Sequence, residues 1–142
     1  IKLFGSSWEK SKHYIFFVSM MGCKITPFVG EAYNRMINES KIALVFLSKL
    51  NNDTYTTRCF EIPATKTMMI SEYTNDLFKM FKEGKEVEFF RNKKELLEKL
   101  EFYLGNPNSI CKIAEAGFCR VVKDGYEVKD FAKKILEQYC KQ

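Results

Sequence analysis

The sequence predicts an α/β fold with a mainly parallel sheet. Short apolar runs of strand length alternate with segments of helical periodicity, which is typical of βαβ units. The run Ile42–Leu47 contains no charged residue, as expected of a parallel strand that is buried on both faces. The chain has 142 residues, which is about the size of one ordinary domain. We therefore expect residues 1–142 to form a single domain.

Strands and helices are predicted in alternation along most of the chain. The strands are Lys2–Phe4, Ile42–Leu47, Met68–Ser71 and Val87–Phe90. Periodicity does not decide whether the further apolar run Tyr14–Met20 is a strand or a helix. The helices are Phe28–Asn38, Thr57–Ala64, Asn75–Lys82, Lys93–Leu104, Pro107–Val122 and Val128–Tyr139.

The last three helices have the clearest signals. Asn106 before Pro107 predicts an N-cap followed by a first-turn proline. Leu96, Leu100, Tyr103 and Leu104 recur at helical spacing, as do Phe131, Ala132, Ile135, Leu136 and Tyr139. Such apolar stripes are core or docking surface rather than a cofactor site. Because Pro63 lies inside the predicted helix Thr57–Ala64, we expect that helix to be short.

Composition and charge exclude several classes of function. No apolar run approaches the roughly 20 residues of a membrane span. The net charge of +5 comes from lysines that are interleaved with glutamates, so nucleic-acid binding is not predicted. The five cysteines form no C-x-x-C pair and His13 is the one histidine, which argues against a zinc site and for a reduced, cytoplasmic context. We expect Cys111 and Cys119 to act as small apolar side chains in a helix.

The first residues of the sequence have the pattern of a strand from the middle of a longer sequence. Ile1-Lys2-Leu3-Phe4-Gly5 has no initiator methionine and no signal-peptide layout. We expect the chain to be a piece of something longer.

The most informative segment runs from Asn52 to Ala64, directly after the run Ile42–Leu47. A strand followed by a polar turn and a short helix is how open α/β sheets build anion sites. Asp53 and Glu61 form a D-x7-E pair in this segment, and Arg58 lies between them. Carboxylates accept hydrogen bonds from sugar hydroxyls, and a guanidinium matches phosphate oxygens bidentately. The segment therefore predicts a site for a nucleotide-sugar.

Each of these residues also has an ordinary structural interpretation. Asp53 is a common turn residue, and Glu61 is equally typical of a solvated helix face. Thr56 and Thr57 are natural N-caps, and in the binding hypothesis they also donate to a phosphate. Arg58 opposes the helix dipole at the helix start, which favours a phosphate partner.

Two other places are weaker candidates. Gly5 lies in a turn at the end of the first predicted strand, which suits close approach of a phosphate or sugar. Trp8, in the same segment, is a possible stacking partner for a base, although an aromatic anchor for the turn is the simpler interpretation. Glu72 follows the strand Met68–Ser71 and would lie at the same edge of the sheet.

The order of motifs resembles the C-terminal half of GT-B glycosyltransferases (group 1) of the CgeB-like spore-maturation family. The resemblance covers about residues 28–140 and is carried by Val29–Tyr33, Ser40–Leu44, Asp53, Thr57–Ala64, Ser71–Thr74, Phe81–Glu86, Glu95–Lys99, Tyr103–Leu104 and Ile113–Gly117. One departure is Thr65-Lys66, where the family has Cys-Gly. Because glycine would end the helix in a left-handed conformation, Lys66 must do so with some strain or differently.

The resemblance implies a Rossmann-like, three-layer α/β/α domain that binds the nucleotide-diphosphate sugar of a hexosyltransferase-like enzyme. It also implies a separate N-terminal domain of the same chain that binds the acceptor. By this resemblance Glu61 holds the ribose hydroxyls and Asp53 lies near the transferred sugar. We expect no cofactor and no metal, because Arg58 and the helix start would stabilise the leaving diphosphate. The resemblance does not identify a catalytic residue.

Two rival interpretations belong to other classes. The domain is alternatively a non-catalytic nucleotide- or glycan-binding module derived from a transferase half. A flavodoxin-like or receiver-like domain shares the α/β pattern, but the first predicted strand lacks the acidic cluster or the Thr/Ser-rich phosphate loop of those folds.

Overall fold

A computed structural model describes residues 30–126 and 128–140. The chain divides into two compact units, residues 1–36 and 37–142, and the first unit is described only from Gly30 onward. The predicted strand Lys2–Phe4 and the run Tyr14–Met20 lie outside the described residues. The elements in order are α1 (Glu31–Asn38), β1 (Ile42–Val45), α2 (Arg58–Ala64), β2 (Met68–Glu72), α3 (Asn75–Met80), β3 (Glu88–Phe90), α4 (Lys93–Leu104), α5 (Pro107–Lys123) and α6 (Val128–Tyr139).

The three described strands form a parallel sheet in the order β1-β2-β3. Ile42 pairs with Met68, and Ile70 pairs with Glu88. Side chains alternate between the two faces along a strand, and Met68, Met69, Ile70 and Ser71 are all fully buried. Both faces of β2 are therefore covered. The predicted α/β class and parallel pairing are confirmed.

The main apolar cluster lies between one face of this sheet and two helices. Met68, Ile70 and Phe90 supply the sheet side of the cluster. Helices α4 and α5 supply Leu96, Leu100, Tyr103, Ile110, Ile113 and Ala114. The helical stripe predicted for α4 is thus core, with one exception: Leu104 is exposed, because it falls on the last residue of α4 beyond the cluster.

Strand β1 is shorter than predicted, since it ends at Val45 and not at Leu47. The N–H group of Leu47 donates to a carboxylate oxygen of Glu72 at 2.8 Å. A backbone donor committed to a side chain is not available to a strand ladder, which explains the early end. Helix α3 also ends early, at Met80 where Lys82 was expected.

Helix α2 has seven residues and contains Pro63, which confirms that it is short. It ends with Lys66 in the left-handed region at φ +57°, the conformation that glycine adopts most readily. The Lys66 Nζ lies 3.1 Å from a carboxylate oxygen of Glu115 and 4.6 Å from the ring centroid of Phe118. These contacts help to offset the cost of a left-handed lysine.

Helices α4 and α5 begin with different kinds of cap. The Asn92 side chain accepts a hydrogen bond from the N–H of Glu95, as a capping residue should. Asn106 occupies the N-cap of α5 ahead of Pro107, as predicted, but it makes no side-chain capping bond. Its amide instead donates to the carbonyl of Phe102 at 2.6 Å. The side chain is therefore used to close the end of α4.

Gly117 allows α5 to pack closely against the backbone at Glu86. A Cβ atom at this position would lie 2.5 Å from the carbonyl oxygen of Glu86. This is too short for a contact, so the backbone would have to move. The same added Cβ atom would lie 3.5 Å from the Cβ of Pro63 in α2. A side chain at residue 117 is thus excluded by packing.

Five charged residues in and next to β3 and α4 form what we call the β3–α4 charge network, which comprises Glu83, Glu88, Arg91, Glu95 and Lys99. Lys99 is at its centre, with Nζ 2.6 Å from Glu88 Oε2, 2.8 Å from Glu83 Oε1 and 3.4 Å from Glu95 Oε1. Arg91 bonds to both Glu83 and Glu95 at 3.0 Å. Tyr103 donates its hydroxyl to the buried Glu88. Burial, followed by this bond to a carboxylate, raises the pKa of Tyr103.

Helix α6 has the predicted bounds. Of its predicted apolar stripe, Ile135, Leu136 and Tyr139 are exposed, so these three side chains form surface and not core. A turn follows α5, with Gly125 at φ +65°. Within the described part of the chain, no helix combines the length and apolar character needed to cross a membrane.

Candidate functional site

The β1–α2 loop, residues 46–57, begins where β1 leaves the sheet. The ends of β2 and β3 lie at the same edge because the three strands are parallel. In open α/β sheets this carboxyl edge is where ligands bind. The predicted site residues Asp53, Thr56 and Thr57 belong to this loop, and Arg58 and Glu61 follow in α2.

The first part of the loop is a turn that closes on itself. The N–H of Asp53 donates to the carbonyl of Ser48 at 3.1 Å, and the N–H of Asn51 donates to the Ser48 hydroxyl at 3.3 Å. Asn52 has φ +56°, a left-handed conformation that asparagine tolerates better than most residues. This turn fixes the backbone of Asp53 and leaves its side chain half-buried.

The start of α2 differs from the expected capping arrangement. Thr57 is the N-cap, but it has helical torsions of φ −54° and ψ −33° and its hydroxyl makes no capping bond. An N-cap side chain reaches back to the helix when its backbone is extended, which is not the case here. Thr57 therefore occupies the N-cap position, as predicted, but its side chain does not supply the capping bond.

The backbone carbonyls of Thr56 and Thr57 accept the first hydrogen bonds of the helix instead. The Thr56 carbonyl accepts from the N–H of Cys59, and the Thr57 carbonyl accepts from the N–H groups of Phe60 and Glu61. These three N–H groups are therefore committed within the helix start. The Thr56 hydroxyl lies 3.9 Å from the thiol of Cys59.

The charged side chains predicted for the site are accessible. Arg58 and Glu61 are exposed, and the opposite side of α2 buries Cys59, Ile62 and Pro63. Among the residues that the structure describes, Asp53, Arg58 and Glu61 take part in no ion pair. The segment thus holds two carboxylates and a guanidinium that the described fold does not use.

Cys59 lies beneath the start of α2 and is completely buried. Burial raises the pKa of its thiol, against smaller opposing effects from Thr56 and Ser71. It is a packing residue and not a reactive thiolate. Cys111 and Cys119, by contrast, are exposed on α5. Both lie in a helix, as predicted, but they fall outside the stripe that faces the sheet.

Glu72 lies at the end of β2, at the predicted edge. Its Oε2 accepts from the Leu47 N–H and also contacts Lys49 Nζ at 3.2 Å. The carboxylate therefore already has a structural use at the beginning of the β1–α2 loop. Its contact with a ligand stays a prediction.

Thr74 was not among the sequence candidates, yet it contacts the same loop. Its hydroxyl donates to the carbonyl of Thr54 at 2.7 Å and accepts from the N–H of Leu77 at 3.1 Å. The second bond is a helix N-cap, which the position of Thr74 just before the predicted helix would have indicated. No sequence pattern indicates the first bond, which joins residues 20 positions apart.

Aromatic side chains fix the inner part of α2. The Phe60 ring stacks on Tyr126 with the centroids 4.7 Å apart. Tyr55 of the loop meets Phe60 edge-on at 6.0 Å. These contacts hold Phe60, and hence the neighbouring Glu61, in a defined orientation.

Gly5 and Trp8 lie outside the described residues, so their predicted contribution stays a prediction. In the described ranges, no three His, Cys, Asp or Glu side chains are grouped closely enough to hold a metal ion. That the site needs no metal and no cofactor stays a prediction.

Comparison with known sequences identifies the family. A sequence profile described as "Glycosyl transferase-like" matches residues 1–137, which is nearly the whole chain. The chain belongs to this family. No curated protein matches the sequence of this glycosyl transferase-like chain at a significant level.

A solved structure supports the fold of the glycosyl transferase-like chain. It is the C-terminal domain of a glycosyl transferase group 1 family protein, LpcC, from Francisella tularensis, with a TM-score of 0.61 and 17% sequence identity. The match covers 84% of this chain and 64% of that domain. At this identity the likeness concerns the fold, and it agrees with the predicted Rossmann-like arrangement. The family resemblance seen in the sequence is confirmed, whereas the narrower CgeB-like label stays a prediction.

Proposed function

We propose that this chain is the donor-binding half of a glycosyltransferase of the GT-B type. The enzyme would transfer a sugar from a nucleotide-diphosphate sugar to an acceptor hydroxyl, with the acceptor bound by an N-terminal domain of the same protein. One observation carries the proposal: Asp53, Arg58 and Glu61 follow a parallel strand, are accessible, and have no ion-pair partner among the described residues. Membership of the glycosyl transferase-like family supports it.

Each side chain has a distinct role in this proposal. The Arg58 guanidinium binds the diphosphate, because its fork of donors matches phosphate oxygens. The Glu61 carboxylate accepts from the ribose hydroxyls, and Asp53 lies near the transferred sugar. The hydroxyls of Thr56 and Thr57, which do not cap α2, donate to the phosphate. The N–H groups of Cys59, Phe60 and Glu61 are already bonded, so these three do not contribute to the phosphate contacts.

The chemistry follows from where charge develops. When the bond between the sugar and the β-phosphate breaks, negative charge builds on the departing nucleoside diphosphate. A guanidinium fixed beside that phosphate stabilises the charge in the transition state. Removal of such a group costs about 3 kcal/mol of transition-state stabilisation, by comparison with oxyanion-hole deletions.

Binding of nucleoside diphosphates tests the proposal directly. We expect calorimetric titration of the chain with UDP, GDP, ADP, CDP and dTDP to give binding with at least one of them. Because hydrogen bonds to charged groups contribute about 1.5–3 kcal/mol, Arg58→Ala should weaken that binding roughly 10- to 100-fold. Glu61→Gln should weaken the binding of nucleoside diphosphates more than the binding of inorganic pyrophosphate, which has no ribose.

Matched surface variants provide the controls for these titrations. Lys112→Ala removes an exposed cation from α5, and Glu98→Gln removes an exposed carboxylate from α4. Both should bind like the parent chain. The site assignment is wrong if Arg58→Ala and Glu61→Gln also bind like the parent, or if the controls lose as much affinity as they do.

The alternative, a non-catalytic binding module, was raised by Thr65-Lys66 in place of Cys-Gly. Lys66 nevertheless has the left-handed torsion that glycine would supply, so the substitution leaves the end of α2 in the expected conformation. Sugar transfer by the full-length protein, measured by release of the nucleoside diphosphate, distinguishes the two functions. Donor binding without release would favour the module.

A further inference from the structure

The end of β2 holds the β1–α2 loop at two points. At the first point, Glu72 Oε2 accepts from the backbone N–H of Leu47 at 2.8 Å and contacts Lys49 Nζ at 3.2 Å. A hydrogen bond to an ionised acceptor is stronger than one between neutral groups. This contact fixes where the chain leaves β1.

The second point is Thr74. Its single hydroxyl proton is used in the 2.7 Å bond to the carbonyl of Thr54, and one lone pair accepts from the N–H of Leu77 at 3.1 Å. With donor and acceptor both engaged, the hydroxyl is held in one orientation. Thr74 therefore joins the loop to the start of α3.

The position of the Thr54 bond matters for the proposed site. Residues 48–53 close on themselves through hydrogen bonds to Ser48 and Lys49. Among the described residues, the stretch from Thr54 to Thr57 has one hydrogen bond to a part of the chain other than the adjoining helix α2, and Thr74 donates it. Thr54 directly follows Asp53 and comes shortly before Arg58.

We propose that Thr74 is a positioning residue of the donor site. It acts through the Thr54 carbonyl, which it holds so that Asp53 on one side and Thr56 to Arg58 on the other keep their relative placement. Glu72 assists by fixing the beginning of the same loop. The inference rests on the proposed function, since the affinity that it explains is the affinity for the donor.

The test compares Thr74→Val, which has nearly the same shape but no hydroxyl, with Thr74→Ser, which keeps the hydroxyl. One hydrogen bond contributes about 0.5–1.5 kcal/mol, so we expect Thr74→Val to weaken nucleoside diphosphate binding roughly fivefold. Thr74→Ser should restore the parent affinity. Amide hydrogen exchange at residues 53–58 should accelerate severalfold in Thr74→Val without any ligand.

A second capping residue provides the control for stability. Asn92→Ala removes the cap of α4, in which the Asn92 side chain accepts from the Glu95 N–H at 3.0 Å, but no hydrogen bond of Asn92 reaches the β1–α2 loop. It should also lower the melting temperature, by less than Thr74→Val because one hydrogen bond is lost and not two, with donor affinity and loop exchange unchanged.

The outcomes separate this inference from the proposed function. Parent-like affinity and exchange in Thr74→Val, or an equal loss of affinity in Asn92→Ala, would overturn the inference while leaving donor binding intact. If the parent chain binds no nucleoside diphosphate, the proposed function fails and the positioning role fails with it.

Discussion

The β3–α4 charge network and the stretch Asp53–Glu61, which we call the β1–α2 segment, each belong to a strand–helix unit of the parallel sheet, but their charged side chains have different partners. In the β3–α4 charge network every member is paired, and Glu88 is only 5% exposed. In the β1–α2 segment Asp53, Arg58 and Glu61 have no ion-pair partner among the described residues, and Arg58 and Glu61 are exposed. The charges of the first region stabilise the fold. Those of the second are available to a ligand.

This difference is physical as well as functional. A buried carboxylate is tolerated only when cations and hydrogen-bond donors compensate for its lost hydration, and Lys99 and Tyr103 do so for Glu88. An exposed charge needs no such compensation and contributes little to stability. The two regions should therefore respond in opposite ways to mutation, with large effects on stability in one and large effects on binding in the other.

The largest effect is expected from Lys99→Met. It leaves Glu88 and Glu83 without their shared cation, and breaking a buried pair costs about 3–5 kcal/mol. Chemical denaturation should show an unfolding free energy lowered by about that amount. Lys94→Met removes a highly exposed lysine that lies 3.8 Å from Glu98, and it should change stability by less than about 0.5 kcal/mol.

A double variant keeps this prediction testable if Lys99→Met does not fold. Lys99→Met combined with Glu88→Met removes both charges, and we expect it to recover much of the lost stability, because apolar replacements of buried pairs are often neutral. Equal stability of Lys99→Met and Lys94→Met would mean that the charge network does not stabilise the fold.

A smaller effect is expected from acid. The Arg91 guanidinium, hydrogen-bonded to Glu83, holds the pKa of that carboxyl below its usual value, and Lys99 acts in the same direction. A carboxyl with a lowered folded-state pKa contributes stability that is complete above its unfolded pKa, about 4.3, and is lost as the pH falls through the folded-state value. The unfolding free energy should therefore be level from neutral pH to about pH 5 and decline below it.

Glu83→Gln isolates the contribution of this carboxyl. The variant should be less stable than the parent at neutral pH, and the difference should shrink as the pH falls below about 4. Glu98→Gln lies on the exposed face of α4. The difference between its unfolding free energy and that of the parent should be the same at all these pH values. A Glu83→Gln difference that is the same at pH 3 and pH 7 would show that the effect is one of packing and not of charge.

Local signals in the sequence were sufficient for much of the fold. The bounds of α4 and α6 are as predicted. Helix α2, which contains Pro63, is short, as predicted. The end of β1 was predicted less well, because the bond from Leu47 to Glu72 joins residues 25 positions apart. Hydrophobic periodicity contains no information about such a contact.

The site was predictable in part for the same reason. Residue type and spacing indicated Asp53, Arg58 and Glu61, and their accessibility agrees with the hypothesis. The helical torsions of Thr57 could not be inferred, since its type favours a side-chain cap and the local chain path decides otherwise. The Thr74 bond to Thr54 and the burial of Glu88 also depend on tertiary packing, which a single sequence does not reveal.

The smallest expected effect is the stability change in Arg58→Ala and Glu61→Gln. Both side chains are exposed and neither takes part in an ion pair among the described residues, so each unfolding free energy should stay within about 0.5 kcal/mol of the parent value. Arg91→Ala is the matched arginine variant, and it should be clearly less stable because Glu83 and Glu95 lose a partner. A loss of more than about 1 kcal/mol in Arg58→Ala would place Arg58 among the structural charges. Unchanged stability together with lost nucleoside diphosphate binding would show that the β1–α2 segment has charges for a ligand and not for the fold.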